Sequence, residues 1–234
     1  MTLVLAICTA TSRSSVGLGT RAGVLAEARL ARPHAHAEFV APAIEFCLRS
    51  AGCTASEITG VVVDHGPGLF SGLRVGIATA KAVAVSLDLP VVALSGLDLV
   101  AMAVRHSGRS VVAAVDARRG EVFWARYVPV PGGVERIGDY AVCTPEALAA
   151  DIVAEGGETL VVGTGAVEYR DVLAKVDHVE VGDVLTAHPT AAAAVAVATG
   201  RFDREDFVRA HDVAPLYLRR SDAEIKWEAR RSSA

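Results

Sequence analysis

Asp64-His-Gly-Pro-Gly-Leu-Phe-Ser-Gly-Leu-Arg-Val-Gly-Ile-Ala-Thr-Ala-Lys81 is the stretch that decides how this chain folds. It continues an apolar run, Ile58 to Val63, that reads as a buried strand, and its Gly-Pro-Gly loop opens a helix. From Gly72 to Leu87 that helix has almost no polar face. Leu73, Gly76, Ile77, Ala80, Ala84 and Leu87 fall on one side, and Val75, Ala78, Ala82 and Val85 lie roughly opposite. One apolar stripe is enough to pack a helix on its own sheet, so a second stripe calls for another cover. Gly72, Gly76, Ala80 and Ala84 recur every four residues and leave one side nearly free of bulk, open to close approach by another backbone. The pattern predicts a helix with two neighbours, and a second chain is a candidate for one of them.

Upstream, Leu3 to Thr9, Ser14 to Gly19 and Val24 to Ala31 read as strands joined by tight turns, and a helix runs from His36 to about Arg49 before Gly52. Thr54 and Glu57 have capping-box spacing. Downstream come a strand at Pro90 to Leu94 and a helix from Gly96 to about His106. A second round begins with a hairpin, Val111 to Asp116 and Glu121 to Tyr127, turned by Arg118-Arg119-Gly120 and followed by a loop rich in Pro and Gly (129–133). Thr144-Pro145-Glu146 supplies an N-cap and a Pro at the first helical position. A strand at Thr159 to Gly163 and an Ala-rich helix at Thr190 to Thr199 complete the round. Two rounds of strands-then-helices predict two related α/β lobes, residues 1–107 and 108–234, the second reduced.

The chain of 234 residues is 52% hydrophobic, with mean hydropathy +0.38 and a net charge of -4. Alanine and valine supply most of that hydrophobicity in short runs, and no stretch is expected to span a bilayer. The first residues lack a basic n-region and lead straight into a strand, so a cytoplasmic protein is expected. A pI of about 6.0 argues against nucleic acid as a directly gripped ligand. The basic pairs Arg118-Arg119, Arg219-Arg220 and Arg230-Arg231 read as solvated charge. Four cysteines without Cys-x-x-Cys spacing read as reduced structural thiols.

Gly66 and Gly68 before a helix would suit an anion, yet the segment is neither a P-loop nor a dinucleotide fingerprint, and a tight strand-to-helix turn explains the same glycines. His34, His36 and Glu38 cluster without a further ligand at useful spacing, so no metal site is expected. Ser71 and Ser95 lie outside any Gly-x-Ser-x-Gly elbow. Asp116, at the end of a strand, would either meet a metal-bound phosphate in a cleft between lobes or stabilise its own turn.

Gly66-Pro-Gly-Leu-Phe-Ser-Gly-Leu-Arg-Val-Gly76 resembles the signature of the TsaB family, once called YeaZ, and Asp116-Ala-Arg-Arg-Gly-Glu-Val-Phe-Trp124 is similar to its second hallmark. Strand one, the His36-Ala-Glu38 helix start, Pro90 to Ser95 and Pro215-Leu-Tyr-Leu-Arg219 fall in the family's order, so the likeness spans nearly the whole chain. The resemblance implies an actin-like (ASKHA, ribonuclease-H-like) ATPase fold. It implies a non-catalytic subunit in making threonylcarbamoyladenosine beside the anticodon of tRNAs that read codons beginning with A. The partners implied are TsaD, the paralogous transferase, the ATPase TsaE, and tRNA through the complex only; from the apolar helices themselves, pairing of two copies when TsaD is absent stays open. Pairing through the first two helices carries over to Phe39, Ala43, Arg74, Val75, Ala78, Ala82 and Val85. No cofactor of its own is implied, although ATP or ADP at a subunit joint stays open, with Gly66, Gly68 and Asp116 as the candidates. Independent actin-like ATPase or small-molecule kinase activity is the alternative, and an old metallopeptidase label lacks the ligands. Strand one departs from the family's Asp-Thr ending, reading Ile7-Cys8-Thr9. A thiol lacks the charge that a hard cation prefers, which counts against independent hydrolysis.

Overall fold

The computed structural model describes residues 2–219. In chain order it contains β1 (Val4–Cys8), β2 (Ser14–Thr20), β3 (Gly23–Leu30), α1 (His36–Ala51), β4 (Gly60–Asp64), α2 (Phe70–Leu87), β5 (Val91–Leu94) and α3 (Gly96–Ala103). The second half continues with β6 (Ser110–Arg118), β7 (Glu121–Val130), β8 (Gly133–Cys143), α4 (Pro145–Glu155), β9 (Thr159–Val162), α5 (Thr164–Glu168), α6 (Arg170–Leu173), β10 (Val179–Val181) and α7 (Ala191–Asp203). One five-stranded sheet runs β3-β2-β1-β4-β5 and the other β8-β7-β6-β9-β10. In both, the first strand pairs antiparallel with the second and parallel with the fourth. This repeated order is the two-lobed, ribonuclease-H-like plan of the actin-like fold.

Local signals behave as their chemistry predicts. Gly52 closes α1 with φ 66, a left-handed conformation that costs a residue with a Cβ more than it costs glycine. Thr144 Oγ1 accepts the Ala147 N–H at 3.2 Å and caps α4, with Pro145 in its first turn. Thr54 and Glu57 close a single 3-10 turn, in which the Thr54 N–H donates to the Glu57 carboxylate at 2.7 Å. Residues 129–133, read as loop, instead finish β7 and turn into β8, an 11-residue strand absent from the sequence reading. β8 is an edge strand with a mostly exposed or half-exposed pattern, so it offers no apolar alternation to read. The short α5, α6 and β10 are likewise additions to that reading.

Three connections join the lobes. α7 comes from the second half of the chain but lies on the first sheet, because Val4, Ala6, Cys8 and Val62 present an apolar face that Ala191, Ala194, Val195 and Ala198 cover. Its N-terminus is seated by Ser15 Oγ, which accepts the Ala191 N–H at 2.9 Å, and by Glu27, which accepts from Ala192 at 3.3 Å. Burial pushes the Glu27 carboxyl up, but Arg29, Ser15 and Ala192 outweigh it and hold it below the ordinary carboxylate range. α3 sends Leu99 into the first core and Leu97, Val100 and Ala101 into the second. Asp98 on the same helix accepts the Tyr127 hydroxyl at 2.7 Å and the Tyr140 hydroxyl at 2.8 Å, both from the second sheet. Residues 213–219 then cross from lobe to lobe. Val213 enters the first core, the Leu216 N–H donates to the His65 carbonyl at 2.8 Å, and the Arg219 guanidinium reaches the Ala117 carbonyl at 2.9 Å and the Glu121 carboxylate. The tail at 222–234, with Trp227 and Arg230-Arg231, and Arg220 lie outside the described residues.

Candidate functional site

Two regions hold the residues singled out above: the start of α2 with its outer face, and the cleft between the lobes. At the start of α2 the small residues are needed by the chain itself. A Cβ at Gly68 would stand 2.1 Å from the Ala10 carbonyl oxygen, and one at Gly72 would stand 2.0 Å from the Thr9 carbonyl oxygen. The loop after β1 therefore rests directly on the helix. Thr9 Oγ1 donates to the Gly72 carbonyl at 2.8 Å, and the Leu69 N–H donates to the Ala10 carbonyl at 2.7 Å. The close approach of another backbone expected on the Gly72/Gly76/Ala80/Ala84 side is found, and that backbone is the chain's own, so the first lobe fills that side. The anion-cradle reading of Gly66 and Gly68 weakens for the same reason. The Gly66 N–H is held by Asp64 Oδ1 at 3.0 Å and the Leu69 N–H by Ala10, so two amides of the loop are already committed.

Asp64 stands in the sequence only as the residue that follows the Ile58 to Val63 strand. It is fully buried, lies one residue past the Ile7–Val63 pair and so beside Cys8, and leaves Oδ2 without a hydrogen bond. Burial pushes its carboxyl up to about 7. The nearby amides of Gly66, Ala10 and Gly96 oppose that shift, and the charge of Asp98 adds to it. Burial, and then Asp64 and Glu27, raise the Cys8 thiol well above its ordinary value, so it stays protonated. A carboxyl at the end of an otherwise apolar buried strand is the signal available in the sequence.

The outer face of α2 is open. Arg74, Ala78, Ala82 and Val85 follow one another at helical spacing and are all exposed, Val85 by 71%. Val75 is half-buried and packs on the first core. On α1, Phe39 is half-buried, while Ala43 is only 3% exposed and belongs to the core, so it leaves the predicted interface. Phe46, 45% exposed, is a residue of that helix that sequence reasoning misses. At the start of α2, Phe70 stacks on Tyr217 with ring centroids 5.8 Å apart, and the Arg74 guanidinium lies 3.7 Å from the Phe70 ring centre. Contrary to expectation, α2 has the length and composition of a membrane span, 18 residues at mean hydropathy 1.3, but its inner side is packed on its own sheet.

In the cleft, Ala10, Thr11 and Ser12 face Asp116, Arg118 and Thr164 across a space of about 40 Å³. Ligand clefts for nucleotide-sized molecules are about 300–1,000 Å³. The Asp116 carboxylate accepts the Arg118 N–H at 2.8 Å and the Tyr169 hydroxyl at 3.4 Å, and pairs with the Arg118 guanidinium at 3.3 Å. Of the two readings left open for Asp116, these bonds favour the turn. Thr11 Oγ1 shares a hydrogen bond with His188 Nδ1 at 2.9 Å, and burial with nearby Arg13 lowers His188 to about 4, leaving it neutral. His34, His36 and Glu38 do not converge. His34 is exposed, His36 is buried with Nδ1 on Ser14 Oγ at 2.8 Å, and Glu38 pairs with Arg32.

Residues 24–227 match the family described as TsaD, tRNA N6-adenosine threonylcarbamoyltransferase. Over nearly its whole length the chain is similar to tRNA threonylcarbamoyladenosine biosynthesis protein TsaB of Escherichia coli, at 33% identity covering 94% of this chain and 96% of that one. The protein of the same description in Haemophilus influenzae is 28% identical, covering 96% and 95%. Among solved structures, YeaZ from Pseudomonas aeruginosa superposes with a TM-score of 0.79 at 28% identity, covering 93% of this chain and 100% of that one.

Proposed function

The chain belongs to the TsaB (YeaZ) family, and we propose that it serves threonylcarbamoyladenosine synthesis on tRNA as the non-catalytic subunit that docks on TsaD. The observation that carries this reading is the outer face of α2. Arg74, Ala78, Ala82 and Val85 form a continuous exposed strip on a helix whose other side is fully used. Removing that strip from water favours association, and Phe70, exposed at the start of the same helix, enlarges it. In this reading the subunit holds TsaD in its active shape, TsaE joins the same complex in the cytoplasm, and tRNA is met only through the assembly. The net charge of -4 is consistent with the last point. Without TsaD the same face would pair with a second copy of the chain.

Independent ATPase or kinase activity finds less support. The space between Ala10–Ser12 and Asp116, Arg118 and Thr164 is about 40 Å³, Asp116 is engaged by its own turn, and strand one ends in Cys8 where a hard cation would want a carboxylate. Reconstitution tests the proposal. Unmodified tRNA, threonine, bicarbonate, ATP, the threonylcarbamoyl-adenylate synthase, TsaD and TsaE are combined with and without this chain, and the modified nucleoside is counted by mass spectrometry. Modification should require the chain and should fail with Ala82→Glu. Equal modification in its absence would remove the proposed role.

A further inference from the structure

Resting on the docking reading above, we infer that Arg74 is a preassembled anchor for a carboxylate on the partner subunit, at one end of the apolar strip. α2 contains two cations, Arg74 and Lys81, and no acid. Lys81 is engaged, its Nζ donating to the His211 carbonyl at 3.2 Å. Arg74 has no carboxylate partner among the described residues, and its contact is the Phe70 ring. Among the described residues, then, the charge has no counter-charge, while its position is well defined.

Phe70 lies between two partners, Tyr217 from the lobe-crossing segment and the Arg74 guanidinium 3.7 Å from its centre. A guanidinium stacked on a ring keeps its N–H edges free and loses less conformational freedom when a planar carboxylate pairs with it. Ala78, Ala82 and Val85 continue from Arg74 along the same face, so a partner covering them also desolvates the guanidinium. A buried cation without a counter-charge opposes docking strongly, and a carboxylate opposite it favours both affinity and register. The partner that fits is a protein surface with an apolar stripe ending in Asp, Glu or a chain terminus.

The test is pairing with TsaD from the same source, measured by calorimetry over a range of salt for the wild type, Arg74→Gln, Arg74→Lys and Ala82→Glu, each checked for folding by circular dichroism. Arg74→Gln should weaken pairing by about tenfold or more and flatten its salt dependence. Arg74→Lys should recover part of the salt dependence but only part of the affinity. If Arg74→Gln pairs like the wild type with an unchanged salt slope while Ala82→Glu does not pair, the anchor is refuted and the docking face stands. If inorganic phosphate or ATP is required before Arg74 matters, the carboxylate assignment is overturned. Undiminished pairing of Ala82→Glu would refute the docking face, and the anchor with it.

Discussion

Replacing Asp64 with asparagine should stabilise the protein increasingly as pH rises. The carboxyl is fully buried, and Oδ2 has no hydrogen bond. Its pKa rises from 3.8 to about 7 on folding, chiefly through burial. Between those values the unfolded chain releases the proton and the folded chain keeps it. The contribution is therefore fully present below the unfolded value and lost as pH rises through the folded one. The rise from 3.8 to about 7, at ~1.4 kcal/mol for each tenfold in proton affinity, sets a loss on the order of 4 kcal/mol. The asparagine side chain keeps an oxygen for the Gly66 N–H, now held by Oδ1, and carries no charge, so it escapes this loss. Urea unfolding of both proteins at about pH 4 and about pH 8 isolates the effect, because other titrating groups cancel in the difference. The Asp64→Asn variant should gain on the wild type by roughly 4 kcal/mol across that interval. A constant gap at both pH values, or a variant weaker than the wild type at the higher pH, would mean that the amides of Gly66, Ala10 and Gly96 hold Asp64 ionised, and the burial argument would fail.

The remaining predictions concern contacts equally specific. Gly72→Ala would drive a methyl to 2.0 Å from the Thr9 carbonyl oxygen, so a melt should show a loss of about 1–3 kcal/mol or more, whereas Gly108→Ala, with nothing near it, should show only the mild strain of its φ of 71. Cys8→Asp would set a second buried carboxyl beside Asp64. It should destabilise strongly alone and much less together with Asp64→Asn, and additivity in that double-mutant cycle would show that the two sites do not meet. Tyr127→Phe removes one of two hydroxyls from Asp98 and should cost about 1–3 kcal/mol, with faster amide exchange along α3, the helix the lobes share. Exchange confined to β7 would argue that this bond does not tie the lobes.

Much of the first lobe is legible because its elements are buried on regular periods. β1 and β4 are continuous apolar runs with hydrogen-bonded neighbours on both sides, and the α1 terminus is marked by Gly52. β8 is not legible, since an edge strand exposed along much of its length carries no alternation, and its Gly138 adopts φ 73 inside the strand. The outer residues of α2 follow from spacing alone. Ala43 falls on the wrong side in the sequence reading because α1 carries apolar residues on more than one face, and which face meets the sheet depends on how the helix is rolled. Phe46 escapes for the same reason.

The sequence alone determined that α2 has more apolar surface than one sheet can cover, and that two rounds of strands and helices build two lobes. Both conclusions need only helix and strand periods, which are local. The tertiary structure decided which surface is left over. The Gly72 side, open to another backbone, is filled by the chain's own Thr9, with the Ala10 carbonyl against Gly68, and the open side is Arg74 to Val85. It also decided that Asp64 lies in the interior next to Cys8, and that Tyr217, 147 residues beyond Phe70 in the chain, stacks upon it. Contacts of that separation are set by how sheets and helices close on one another, and no period within a segment encodes them.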